Sequence, residues 1–76
     1  MKTELMHYKG VDIFEYFHLV VNIFNLEEKL KFKLSGMHPY KKKALEMEHD
    51  LTNAGLDTDD FMAIDNKAKE YIEEHR

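Results

Sequence analysis

The sequence predicts an all-α protein, a small three- or four-helix bundle with a C-terminal antiparallel helical hairpin. Two features of the chain predict this fold. Residues 11–26 are the most apolar stretch, and their apolar side chains recur with the period of an α-helix. Residues that start or end helices follow at Asp12, Gly36, Gly55 and Asp57, with no linker or internal repeat between them. We therefore expect all 76 residues to form a single helical domain.

The central helix is expected to begin near Ile13, with Asp12 placed to cap it and Glu15 at the distance of a capping box. Its apolar face is wider than one neighbouring helix can cover, because only a narrow polar strip interrupts it. That face comprises Ile13, Phe14, Phe17, Val20, Val21 and Phe24. Three more apolar side chains widen its flank, namely Tyr16, Leu19 and Ile23. Unmatched apolar surface marks an interface, so we predict self-association through this flank, as a homodimer.

Two stretches of the chain are open to more than one interpretation. The first ten residues form either a short helical turn that Gly10 ends or an extended arm. Asn25 offers a break, and Glu28 follows it at the capping-box distance, so a second helix is expected from Leu26. Over residues 29–34 the leucines fit a helix face, whereas the alternation of apolar residues with lysines fits a strand. We favour the helix because no partner strand is identified, and we predict no persistent sheet.

The last two helices are marked at both ends. Pro39 suits the first position of the earlier helix, after His38 as a weak cap, and Gly55 ends it. Its expected buried stripe is Tyr40, Ala44, Met47, Leu51 and Ala54. Asp57 caps the final helix, and Leu56 before it is placed as a hydrophobic staple. The expected buried stripe of this helix is Phe61, Ile64, Ala68, Tyr71 and Ile72. The short turn between the two predicts that they run antiparallel.

The composition restricts the class of protein. The chain has no cysteine, which excludes a disulfide framework and a thiolate zinc site and fits a reducing, cytoplasmic location. Glu15, His18 and Asn22 interrupt the most apolar stretch, so we expect no membrane span, and no secretory signal is recognised. The sequence has no glycine-rich phosphate loop and no nucleophile elbow. We therefore expect a protein that is not an enzyme and needs no cofactor.

Three of the five histidines follow a glutamate by three residues, the spacing with which four-helix bundles build dinuclear metal sites. The pairs are Glu4 with His7, Glu15 with His18, and Glu46 with His49. A buried metal site needs ligands that point inward, however, and the second pair lies on the polar strip of the central helix. The third pair lies off the buried stripe of its helix. A metal-binding bundle is therefore a third hypothesis, and no residue is assigned as a metal ligand.

Charge is segregated along the chain. Residues 29–43 contain six lysines and no acidic residue, net +6, whereas the other 61 residues contain 15 acidic and five basic side chains, net −10. The six are Lys29, Lys31, Lys33, Lys41, Lys42 and Lys43. The last three occupy the first turn of a predicted helix, where the helix dipole disfavours positive charge. No visible feature of the sequence compensates for this unfavourable placement of charge, and such placements are typical of functional sites. We therefore assign the six lysines and the adjacent Tyr40 as a partner-binding site.

The leading hypothesis is a small non-enzymatic interaction module that presents the lysine segment to an acidic protein surface, as an inhibitor, adaptor or modulator of a larger cytoplasmic protein. The alternative is a nucleic-acid-binding regulator that uses residues 29–43. The acidic total and the lack of any arginine but Arg76 favour a protein, because arginine carries much of base and phosphate recognition. A simpler explanation of the lysines is a solvated surface, or one that neutralises the chain's own acidic third helix.

Overall fold

Helical periodicity in the sequence corresponds to three helices that pack together within residues 7–75, the part of the chain that the computed structural model describes. The elements in chain order are β1 (His7–Tyr8), β2 (Val11–Asp12), α1 (Phe14–Leu30), α2 (Pro39–Asn53) and α3 (Thr58–Glu74). α1 packs against both α2 and α3, so it is the central element of the bundle. The predicted fold class, a small helical bundle with a C-terminal helical hairpin, is confirmed.

A β-hairpin precedes the helices, which corrects the prediction that the chain has no persistent sheet. β1 and β2 pair antiparallel, with Tyr8 opposite Val11. The turn residues Lys9 and Gly10 have φ values of 55° and 79°, and positive φ at both positions of a two-residue turn matches the twist of a hairpin. Gly10 therefore turns a hairpin and does not end a helix, because its neighbours include residue types that favour strands. Residues 1–6 of the predicted helical turn lie outside the described residues.

α1 is one continuous helix, where the sequence predicted a break. Its first N–H, from Phe14, donates to Asp12 Oδ1 at 2.9 Å, but Ile13 occupies the cap position and the predicted capping box of Asp12 and Glu15 does not form. The helix continues through Asn25, so the second helix predicted from Leu26 does not exist. Phe24 and Leu26 pack against the core on either side of Asn25. This burial outweighs the weak tendency of asparagine to interrupt a helix.

The chain leaves α1 at Lys31, so the helix predicted over residues 29–34 is correct only at its first two positions. Lys31 has a left-handed backbone with φ of 67°, and its N–H donates to the carbonyl of Glu27 at 2.8 Å. The N–H of Leu34 then donates to Glu27 Oε2 at 2.9 Å, and the Leu34 side chain is buried. The turn at Lys31 brings Leu34 back onto the core, which a continued helix or strand would not do.

The local signals at the ends of α2 and α3 predict them correctly. Pro39 is the first residue of α2. Beyond its last turn, the N–H groups of Gly55 and Leu56 donate to helix carbonyls at 3.0 and 3.1 Å, and Gly55 has φ of 117°. Asp57 caps α3: its Oδ1 accepts from the Asp60 N–H at 3.0 Å, while Asp60 Oδ2 accepts from the Asp57 N–H at 2.9 Å. These reciprocal bonds form a capping box.

The core lies where α1 faces α2 and α3. Its most completely enclosed large side chains are Ile13 and Ile64, with 1% and 0% of their surface exposed. Tyr40 and Ala54, predicted as buried, are exposed because they lie near the two ends of α2, beyond the reach of the core. The buried apolar residues are Ile13, Tyr16, Phe17, Val20, Val21, Ile23, Leu34, Ala44, Leu51, Leu56, Ile64 and Ala68.

Candidate functional site

The fold brings both groups of lysines to the end of the bundle where α1 ends and α2 begins. Lys29 lies in the last turn of α1, Lys31 and Lys33 lie in the connection, and residues 41–43 lie near the start of α2. Five of the six lysines are exposed, and Lys41 alone is half-buried. Five of the six lysines of the predicted site are therefore exposed at this end of the bundle.

The same segment exposes large apolar side chains. Phe32 and Met37 have 61% and 75% of their surface exposed, and Leu30 and Tyr40 have 41% and 42%. Among residues 7–75, the other large apolar side chains with this degree of exposure are Phe14, Leu45 and Met62. Exposed apolar side chains that cluster together mark interaction surfaces. We name this surface the lysine–apolar end: Lys29, Leu30, Lys31, Phe32, Lys33, Met37, Tyr40, Lys42 and Lys43.

The apolar members of this surface, apart from Tyr40, were not predicted as site residues. Leu30, Phe32 and Leu34 share one alternating pattern in the sequence, yet only Leu34 is buried. The pattern cannot separate them, because the turn at Lys31 decides which side chain faces the core. Met37 directly follows a glycine in a predicted loop, and an apolar residue in a loop is only a weak signal of a binding site.

The start of α2 fixes the position of Tyr40. His38 Nδ1 accepts a hydrogen bond from the Tyr40 N–H at 3.1 Å, and the two rings meet edge to face with centroids 5.1 Å apart. The first turn of α2 has no acidic residue, so Lys42 and Lys43 add their charge to the positive end of the helix dipole. Positive charge is therefore concentrated at the lysine–apolar end.

Lys41 faces the interior of the bundle instead. It lines a crevice of about 90 Å³ between the three helices, together with Tyr16, Glu48 and Asp65. The Tyr16 hydroxyl donates to Glu48 Oε2 at 3.3 Å. Burial raises the pKa of Asp65, the Glu48 carboxylate adds to this rise, and Lys69 and Lys41 oppose it. For Lys41 the structure thus supports the simpler explanation, neutralisation of an acidic side chain of α3.

A shallow groove runs beside the lysine–apolar end, between α1 and the start of α2. Its volume is about 340 Å³, and it is lined by Asn22, Asn25, Leu26, Lys29 and Tyr40. The two amides and the ammonium group offer hydrogen-bond donors, while leucine and the tyrosine ring offer apolar contact. These side chains suit a peptide that carries both carboxylates and apolar residues.

The predicted self-association flank is mostly part of the core. Tyr16 and Ile23 have only 4% and 5% of their surface exposed, while Leu19 is half-buried. Tyr16 meets Phe61 of α3 edge to face, with ring centroids 5.7 Å apart. The apolar face of α1 is wide because it serves two partner helices within one chain. Tyr16 and Ile23 therefore present little surface to a second copy, and only Leu19 remains at the edge.

A second cleft, of about 350 Å³, lies at the opposite end of α1. It is lined by Asp12, Phe14, Glu15, Tyr16, Met47, Asp50 and Leu51. Phe14 is 41% exposed there, and its ring packs edge to face against His18 at 4.5 Å. Three carboxylates thus border a partly apolar cleft, and its charge is opposite to that of the lysine–apolar end. α1 has 17 residues, so the two ends lie about 25 Å apart.

The glutamate–histidine pairs lie on the surface where the structure describes them. Glu15, His18, Glu46 and His49 are exposed. Among residues 7–75, no three His, Cys, Asp or Glu side chains are grouped so that they could hold a metal ion. Glu4, the first member of the remaining pair, lies outside the described residues. No metal centre can therefore be assembled from the described members of these pairs alone.

No protein family, curated protein or solved structure matches this chain. Within residues 7–75, none of the helices combines the length and the apolar character that crossing a bilayer requires.

Proposed function

We propose that this chain is a small non-enzymatic protein-interaction module, an inhibitor, adaptor or modulator of a larger cytoplasmic protein, and that its lysine–apolar end docks on an acidic protein surface. One observation carries the proposal: five exposed lysines and four exposed apolar side chains fall together within residues 29–43. The apolar members are Leu30, Phe32, Met37 and Tyr40.

The two kinds of side chain have complementary parts in such an interface. The lysines attract an acidic surface over a distance and orient it, which raises the association rate and the specificity. Aromatic residues and methionine are enriched where protein interfaces are fully desolvated. Phe32 and Met37 are the most exposed of the four apolar side chains, so they are the expected anchors. Methionine also adapts its shape to a partner because its side chain is unbranched and flexible.

An acidic protein suits this surface better than a nucleic acid. The 61 residues outside the lysine segment have a net charge of −10, which repels a long polyanion. A protein can dock on the lysine–apolar end alone. Leu30 and Met37 also have no counterpart on a phosphate backbone, whereas they match the apolar side chains of a protein partner. No arginine lies within residues 7–75 to make bidentate phosphate contacts.

The first test measures binding of a fluorescent peptide in which glutamates alternate with leucine and phenylalanine. At physiological salt, the triple variant Lys31→Glu, Lys33→Glu and Lys42→Glu is expected to bind about tenfold or more weakly than the unmodified protein, because attraction becomes repulsion. Lys41 is left unchanged, since it interacts with Asp65 inside the bundle. Circular dichroism verifies that the variant is folded.

The apolar contribution is tested with a matched pair of variants. Phe32→Ala with Met37→Ala is expected to weaken binding, whereas Leu45→Ala with Met62→Ala is expected to leave it unchanged. Leu45 and Met62 are 56% and 58% exposed but lie outside the lysine–apolar end, so they control for the general loss of apolar surface. If all variants bound the peptide equally well, the lysines would be only a solvated surface and the proposal would be wrong. Tighter binding of a duplex oligonucleotide than of the peptide would favour the nucleic-acid alternative.

A further inference from the structure

One strip of α1 carries opposite charges at equal distances from its centre. Glu15, Asn22 and Lys29 are spaced by seven residues, which is close to two helical turns, so they lie along one side of the helix. All three side chains are exposed. Glu15 and Lys29 each lie about 10 Å from Asn22 along the helix axis, in opposite directions.

The neighbouring side chains extend the same polarity. Asp12 and Asp50 share the cleft of Glu15, so this end of the strip is acidic. Lys29 shares its groove with Tyr40 of α2, next to the other exposed lysines. On α2, Lys43 and Asp50 are also seven residues apart, in the reverse order along the chain, so Lys43 lies towards the end with Lys29 and Asp50 lies in the cleft of Glu15. The α1–α2 face therefore has one acidic half and one basic half.

Apolar side chains lie close to the centre of the strip. Leu19 and Leu26 are half-buried and stand three residues before and four residues after Asn22. Each therefore has part of its surface available at the edge of the strip. The centre of the face thus combines an asparagine amide with two leucines, while its charged groups lie at the periphery.

We propose that a second copy of this chain docks antiparallel on this face, about a two-fold axis at Asn22. Such an axis places Glu15 of each copy opposite Lys29 of the other, and brings Leu19 to within one residue of Leu26 along the helix. A second copy is the occupant that this charge pattern fits, because a face with opposite charges at equal distances from its centre is complementary to itself. The two asparagine amides meet at the axis, where a polar pair fixes the register of packed helices.

This dimer differs from the one predicted from sequence and does not rest on the proposed function. It uses Leu19 but neither Tyr16 nor Ile23, which are buried in the core. Its acidic half is no part of the lysine–apolar end. Phe32 and Met37, the expected anchors for a partner, belong to the connection after α1 and not to the strip.

Charge exchange provides the test, with the mass in solution measured by sedimentation. Glu15→Lys makes the strip basic at both ends, and Lys29→Glu makes it acidic at both ends. Each variant alone is expected to have a dimer dissociation constant raised by about tenfold or more, because like charges face each other. An equimolar mixture of the two is expected to form a heterodimer, and the doubly exchanged variant is expected to dimerise again. A variant that has merely lost its fold is not rescued in this way.

A cysteine placed on the proposed axis gives an independent measurement, since the chain has no cysteine of its own. Asn22→Cys is expected to form a disulfide-linked dimer under mild oxidation. Glu70→Cys, on the exposed side of α3, is the matched control and is expected to remain largely uncrosslinked. Equal crosslinking of the two would overturn the proposal. So would an unmodified protein that stays monomeric at millimolar concentration, or a mixture of charge variants that does not associate.

The two proposals fail separately. The two surfaces share Lys29, but Glu15→Lys leaves every residue of the lysine–apolar end unchanged while it disrupts the dimer, so its binding of the acidic peptide reports on the proposed function. Retained peptide binding together with a monomeric unmodified protein would overturn only the dimer.

Discussion

The contributions of two aspartates of α3 to the stability of the fold are expected to change with pH in opposite directions. The backbone N–H of Asp57 and the ammonium group of Lys9 lower the pKa of Asp60. Burial and the nearby Glu48 carboxylate raise the pKa of Asp65. Asp60 therefore stabilises the fold above the ordinary carboxyl pKa of about 3.9, and this contribution is lost as the pH falls through its lowered value. The contribution of Asp65 is complete below about 3.9 and is lost as the pH rises through its raised value.

Replacement of Asp65 by asparagine is expected to raise the free energy of unfolding at pH 7, because it removes a carboxylate that burial disfavours. The gain is expected to shrink towards pH 4, where the native aspartate binds a proton. Urea unfolding at both pH values measures the difference. Asp59→Asn is the matched control: this exposed residue lies at the positive end of the α3 dipole, so its replacement is expected to cost about 0.3–1 kcal/mol. A less stable Asp65→Asn protein at pH 7 would contradict the assigned effect of burial.

At the scale of single elements, α2 begins with an unusual cap. Histidine is not among the preferred capping residues, yet His38 Nδ1 accepts the N–H of Tyr40. The cap also holds Tyr40, which is a member of the lysine–apolar end. The same hydrogen bond therefore fixes both the start of the helix and one residue of the candidate site.

Loss of this cap is expected to be measurable by thermal unfolding. His38→Ala is expected to cost about 0.5–2 kcal/mol, whereas His38→Asn keeps an acceptor and is expected to retain most of the stability. For a domain of this size, 1 kcal/mol corresponds to a shift in Tm of about 4–8 °C. His49→Ala, an exposed histidine within the same helix, serves as the control and is expected to change the stability by less than about 0.5 kcal/mol. Equal Tm values for the alanine and asparagine variants of His38 would contradict the cap.

The ends of helices were predictable where the signal was local. Pro39, Gly55 and Asp57 act through their own backbone or side chain, so the sequence indicates their positions directly. Lys9 and Lys31 were not predictable, because both adopt positive φ, a conformation that glycine and asparagine prefer. Contacts elsewhere in the fold accompany these conformations: Lys9 pairs with Asp60, and the turn at Lys31 precedes the burial of Leu34.

At the scale of the whole molecule, the sequence predicted the charge of the candidate site but not its shape. The segregation of lysines is visible in the chain itself. Lys41 and Lys42 are adjacent and identical in type, however, and only the position of α2 in the bundle shows that one faces a crevice between the three helices while the other faces solvent. The width of the apolar face of α1 was likewise predicted correctly, but its cause was not, since two helices of the same chain cover it.

The ion pair between Lys9 and Asp60 joins parts of the chain that are 51 residues apart, with the two atoms 2.9 Å from each other. The same Asp60 oxygen also accepts the Asp57 N–H at the start of α3. We therefore expect local opening of the hairpin to be coupled to fraying of the first turn of α3. In deuterium exchange, Lys9→Ala is expected to accelerate the amides of β1–β2 and of the first turn of α3 together, and to leave the middle of α2 unchanged. Lys43→Ala, an exposed lysine with no such link to α3, is expected to accelerate neither.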